Sequence, residues 1–67
     1  MTVLKNIELV GESKEGFEKA VIEALEQAKK TIRNIRRVTV DGFEVLIEND
    51  EIVSYQSKVK LYFMIER

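Results

Sequence analysis

The chain predicts an α+β fold of β-α-β-β order, a three-stranded antiparallel sheet packed against one helix. Three observations carry this. Apolar and polar residues alternate near the start, in "TVLKNIELV" (Thr2–Val10). A stripe at helical spacing follows, with Phe17, Ala20, Val21, Ala24, Leu25, Ala28 and Ile32 on one side. The second half then returns to strand-like alternation, interrupted by Asp41-Gly42 and by "ENDE", Glu48 to Glu51.

In the first strand, Ile7 and Leu9 share one face while Asn6 and Glu8 take the other, and "GES" (Gly11 to Ser13) reads as the break. Ser13 is a good N-cap, because its hydroxyl accepts from an orphan amide of a first turn. The helix is expected from Lys14 to about Arg33. Its polar face carries Lys19, Glu23, Glu26, Lys30 and Arg33, with Lys19–Glu23 and Glu26–Lys30 placed four apart for ion pairing. Three alanines in the stripe point to close approach to a flat partner, most simply the sheet. Lys29, Lys30 and Arg33 read as a cationic last turn that complements the helix dipole.

Val38 and Val40 alternate with polar residues, but after Asp41-Gly42 the apolar parity changes to Phe43, Val45 and Ile47. An Asp-Gly pair between alternations fits a two-residue hairpin. It fits equally a β-bulge that shifts the register of one longer strand. "ENDE" is a polar turn. From Ile52 to Glu66, Val53, Tyr55, Val59, Leu61, Phe63 and Ile65 share a face, and Ser54, Gln56, Lys58, Lys60 and Tyr62 take the other. This most apolar strand belongs in the centre, antiparallel to two strands that a right-handed crossover leaves apart. A helix of about twenty residues spans ~30 Å while a strand of about fourteen reaches ~45 Å. The sheet must therefore curve around the helix or pack its far end on another subunit.

The chain has 67 residues, which bounds it to one domain, residues 1–67. So short a chain buries a small core, and it contains no cysteine or histidine for a disulfide or zinc staple. Oligomerisation is the remaining common route to stability. The formal net charge of −1 gives no nucleic-acid footprint. No apolar run approaches the ~20 residues of a membrane span. No leader pattern opens the chain, so a cytoplasmic protein is expected. Catalysis is not expected: the usual nucleophile–base pairs need His or Cys, and the phosphate-loop and dinucleotide glycine patterns are missing.

The stretch "IELVGESKEGFEKAVIEALEQAKKTIRNI" and the aromatic-Gln pair Tyr55-Gln56 opening "YQSKVKLYF" resemble the dodecins. The resemblance runs from Val3 to about Met64. It implies a β-α-β-β subunit whose curved sheet wraps the helix, one long bent second strand with a bulge at Asp41-Gly42, and a hollow homododecamer. It also implies storage of flavin, either riboflavin or FMN. In flavin-binding dodecins a tryptophan at the start of the second strand stacks on the ring, and a glutamine of the last strand hydrogen-bonds its polar edge. By resemblance the glutamine position is Gln56 and the tryptophan position is Arg37; this sequence contains no tryptophan. Calcium and phosphate-bearing ligands such as coenzyme A are the alternatives within the family.

Arg37 and Gln56 are thus the candidate cofactor-binding residues. A guanidinium stacks on flat rings and grips phosphate through paired hydrogen bonds. A carboxamide offers both donor and acceptor, as the pyrimidine-like edge of a flavin requires. For calcium, Asp41, Glu44, Glu48, Asp50 and Glu51 supply oxygens but lack EF-hand spacing, and no metal site is assigned to them.

Overall fold

The computed structural model describes residues 2–65. The elements are β1 (Leu4–Ser13), α1 (Phe17–Ala28), β2 (Ile35–Glu48) and β3 (Glu51–Met64). The sheet order is β1-β3-β2, with β3 in the middle and antiparallel to both neighbours. The expected α+β architecture and the central position of the last strand are both observed. That strand ends at Met64, one residue before Ile65, and the expected continuation to Glu66 lies outside the described residues. Among those residues, no helix is long and apolar enough to cross a membrane.

The first strand does not break at Gly11. It runs on to Ser13, with Gly11 paired to Ser57. Gly11 is there because the helix lies directly on it: a Cβ at this position would sit 1.9 Å from the Ala20 carbonyl oxygen and 3.1 Å from the Ala24 Cβ. Ala20, Ala24 and Ala28 form the buried stripe of α1, as their spacing predicted. Small residues on both surfaces let backbone approach backbone.

The helix is shorter than expected at both ends. Ser13 does not cap it; its hydroxyl accepts from the Glu15 amide at 3.0 Å and closes a local turn instead. Gly16 is the N-cap, with φ 145 and ψ 174, a region open essentially to glycine. At the other end the Lys29 amide donates to the Leu25 carbonyl at 2.9 Å, and Lys30 and Thr31 bond three residues back. The tightened turn ends the helix. Lys29, Lys30 and Arg33 therefore follow the last turn instead of forming it. Glu26 pairs with Lys29 at 3.3 Å, not with Lys30. Asn34, at φ 62, then redirects the chain into β2.

Asp41-Gly42 is a bulge within β2. Val40 pairs with Val59 and Gly42 with Lys58, so Asp41 is the extra residue. The change of parity is what keeps the apolar face continuous. Val38 and Val40 before the bulge, and Phe43 and Val45 after it, oppose Leu61, Val59, Ser57 and Tyr55 on the helix-facing side of β3. A second shift makes Arg36 an extra residue between Ile35 and Arg37. The hairpin turn is Asn49-Asp50, both at positive φ (53 and 64), as a two-residue reversal demands.

Val59 and Leu61 are fully buried under the helix. The face assignment fails at Val53, which a third shift leaves unpaired between Ile52 and Ser54. Ser54 keeps the face of Gln56, as expected, but is buried and donates to the Ser13 carbonyl at 3.4 Å. Ser57 is also fully buried and donates to the Phe17 carbonyl at 3.0 Å, tying the first helical turn to the sheet. Phe17 contacts Phe43 and Tyr55, with ring centroids 4.8 and 5.1 Å away.

Twelve helical residues span only ~18 Å, against ~46 Å for each long strand. The subunit is accordingly elongated, 51 × 20 × 13 Å. Beyond Phe17 the β2–β3 arm has no helix over it. Phe43, Leu46, Ile47 and Ile52 there are each at least 40 % exposed.

Candidate functional site

The sheet face turned away from the helix is a ladder of cross-strand rows centred on β3. Four successive rows are Asn6–Tyr62–Arg37, Glu8–Lys60–Thr39, Val10–Lys58–Gly42 and Glu12–Gln56–Glu44. Both residues singled out from the sequence lie on this face, in the first and last of these four rows.

Arg37 reaches this face because Arg36 is bulged. Its guanidinium carbon lies 4.0 Å from the centroid of the Tyr62 ring. The pair forms a cationic plate, a guanidinium set over an aromatic ring and held by attraction to the ring face. Arg36 turns aside, its Nη2 lying 3.3 Å from the Met64 sulfur. In the last of the four rows, the Gln56 Nε2 donates to the Glu12 Oε1 at 2.9 Å. The Glu12 carboxyl is held below its ordinary pKa, first by this Gln56 hydrogen bond, then by the Ser54 hydroxyl, with a smaller contribution from the charge of Lys14. With Glu12 taking one N–H, the Gln56 carboxamide keeps a carbonyl oxygen and a second N–H side by side.

The middle rows are closed by charge. Lys58 pairs with Glu44 at 3.5 Å, and Lys60 reaches Asp41 at 4.0 Å. Asp41 and Glu44, two of the candidate calcium oxygens, thus each have a lysine beside them. Among the described residues no three or more acidic side chains are grouped to hold a metal ion. On the helix side, Lys29 and Arg33 line an open groove of about 580 Å³ with Leu25, Ile32, Asn34 and Ile35.

Tyr62 and Gln56 are six residues apart on one strand, roughly 20 Å at strand rise. Arg37 and Gln56 of one subunit therefore share a face without converging, since a tricyclic ring cannot bridge that span. A site using both needs residues from two subunits. The residue that sequence reading passed over is Tyr62. It was placed on the polar face, but its contact with Arg37 depends on the bulge register.

The donors fit a flavin. A stacking surface at Arg37–Tyr62 and a donor–acceptor pair at Gln56 are the two elements that a ring with a hydrogen-bonding edge requires. A small helix-backed sheet thus presents an uncovered apolar arm and a polar ladder suited to binding a small ligand.

The chain belongs to the dodecin family. The family model Dodecin matches residues 3–66. A dodecin from Thermus thermophilus is 36% identical over 64 residues, covering 96% of this chain and 93% of that protein. The crystal structure of an arginine-to-alanine variant of T. thermophilus dodecin superposes with a TM-score of 0.95 at 34% identity, covering 100% of both chains. Dodecin from Streptomyces coelicolor gives 0.94 at 29% identity, covering 98% of this chain and 94% of that one. A calcium dodecin of Mycobacterium tuberculosis, described with a novel calcium-binding site, gives 0.84 at 25% identity, covering 96% and 91%. Dodecins are small binding and storage proteins.

Proposed function

We propose that the protein is a non-catalytic, cytoplasmic store for flavin, riboflavin or FMN, assembled as a hollow homododecamer with its ligand held between subunits. The observation that carries the reading is the Arg37–Tyr62 plate, with the guanidinium 4.0 Å over the ring at the position that resemblance gives to the stacking tryptophan. Arg37 supplies the stacking surface, Tyr62 backs it, and Gln56 of another subunit takes the pyrimidine edge of the ring. The separation of Gln56 from Tyr62, the β3 partner of Arg37, supports a shared site. The apolar arm supports assembly, because Phe43, Ile47 and Ile52 stay exposed until another subunit covers them.

The test is a titration of riboflavin, FMN and lumichrome followed by flavin fluorescence. Quenching at micromolar protein is expected. FMN should bind more tightly than riboflavin, since its negative phosphate is attracted to the positive charge that Arg36 and Arg37 place at this end of the sheet. No quenching by any of the three overturns the flavin reading. An Arg37→Trp variant is expected to tighten binding of the neutral ring. A second reading, binding of a phosphate-bearing ligand such as coenzyme A, is favoured by the groove lined by Lys29 and Arg33. Competition between coenzyme A and FMN separates the two sites: independent binding places coenzyme A in the groove.

A further inference from the structure

We infer that Arg37 makes the site selective for the redox state of its flavin, so that the reduced, anionic ring binds more tightly than the oxidised, neutral one. The inference rests on the flavin reading above and concerns the charge of the plate.

Among the described residues the plate is cationic and uncompensated. No acidic residue occurs from Gln27 to Val40. Among the described residues, the ion pairs use Lys29, Lys58 and Lys60, and Arg37 takes part in none. Its row partners, Tyr62 and Asn6, are neutral. Arg36, its chain neighbour, contacts a thioether and adds a second positive charge without an acid. The nearest acid of the adjoining row, Glu8, sits opposite Lys60.

A ring lying on this plate feels a positive charge at van der Waals distance across its face. Two-electron reduction with uptake of one proton converts the neutral flavin into a hydroquinone that carries one negative charge at neutral pH. Coulomb attraction to Arg37 acts on that form and not on the neutral one. An indole at the same position is electron-rich and uncharged, and favours the electron-poor oxidised ring by stacking. The exchange of tryptophan for arginine therefore reverses the sign of the preference. One charge opposes it: Glu12 is bonded to Gln56, where the ring edge docks. Glu12 is exposed and acts through the amide, so its repulsion is screened, while Arg37 touches the ring.

The experiment uses lumiflavin, which has the ring but no phosphate, so attraction to a phosphate group cannot mimic the effect. Its affinity for the intact assembly is measured by anaerobic equilibrium dialysis, oxidised and after dithionite reduction. The reduced form is expected to bind about tenfold more tightly, equivalent to a rise of about 30 mV in the potential of the bound two-electron couple. Arg37→Gln should abolish the difference, Arg37→Lys should retain part of it, and Glu12→Gln should enlarge it. Each variant is first checked by sedimentation to have the wild-type mass. Equal or weaker binding of the reduced ring to wild type overturns the inference and leaves the flavin reading intact. Binding of neither form, of lumiflavin or of FMN, overturns both.

Discussion

Gly11→Ala removes no interaction and adds one carbon, yet it should be the most damaging small substitution in the chain. The new Cβ would lie 1.9 Å from the Ala20 carbonyl oxygen, 2.8 Å from its carbon and 3.1 Å from the Ala24 Cβ. Two of these are backbone atoms of α1 and cannot rotate away. The helix must retreat by roughly 1.5 Å before the first contact becomes ordinary. That retreat loosens the packing of Ala20, Ala24 and Ala28 together. Overpacking typically costs about 1–3 kcal/mol, and a clash with backbone belongs at about 3 kcal/mol or above. The other glycines calibrate it. Gly16→Ala meets no atom within 4 Å but retains φ 145, so only backbone strain remains, about 1–3 kcal/mol. Gly42→Ala meets only the Lys58 Cδ at 4.0 Å and should fall within about 0.5 kcal/mol of wild type. Urea denaturation at one fixed protomer concentration ranks the three, since assembly makes midpoints concentration-dependent. The expected order of loss is Gly11, then Gly16, then Gly42. A Gly11→Ala midpoint equal to that of Gly42→Ala would refute the close packing of α1 on β1.

Ser57→Ala deletes the buried hydroxyl bonded to the Phe17 carbonyl and should cost about 1 kcal/mol in the same denaturation assay, while a wild-type midpoint would show the bond to be dispensable. Gln56→Leu removes the largest influence holding the Glu12 carboxyl low, so its pKa should rise toward the ordinary carboxylate value in an NMR titration. In the wild type a lowered folded pKa means that Glu12 stabilises the fold above its unfolded pKa, and that this contribution fades as pH falls through the folded value. The variant should lose less stability than wild type over that acidic interval. Ile47→Glu places a charge on the uncovered arm, and sedimentation velocity should show a smaller species; a mass equal to wild type would mean that this position stays outside the interfaces.

Those elements were legible whose signal is local and repeated. The β3 alternation and the alanine stripe placed the central strand and the helix face, because periodicity records which side is buried. The helix ends were misread because Ile32 and the cations after Ala28 continue a helical pattern. What ends the helix is the tightened turn at Lys29 to Thr31 and the left-handed Asn34, a choice made by the demand that β2 pair with β3. Gly11 read as a break because glycine often is one. Its actual reason, contact with a helix carbonyl, is a tertiary distance that no local pattern encodes. Asp41-Gly42 fitted a hairpin and a bulge alike, and only the pairing of Val40 with Val59 and of Gly42 with Lys58 separates them. The candidate site was half legible. Arg37 and Gln56 came from resemblance, whereas the Tyr62 backing and the distance between the two candidates follow from register.

The measurement that bears most directly on the whole account is a crystal structure of the assembled protein with FMN. The ring is predicted to lie flat on the Arg37–Tyr62 plate of one subunit, with its pyrimidine edge on the Gln56 carboxamide of another. A ring bound elsewhere, or one that meets Arg37 and Gln56 of the same subunit, would contradict it.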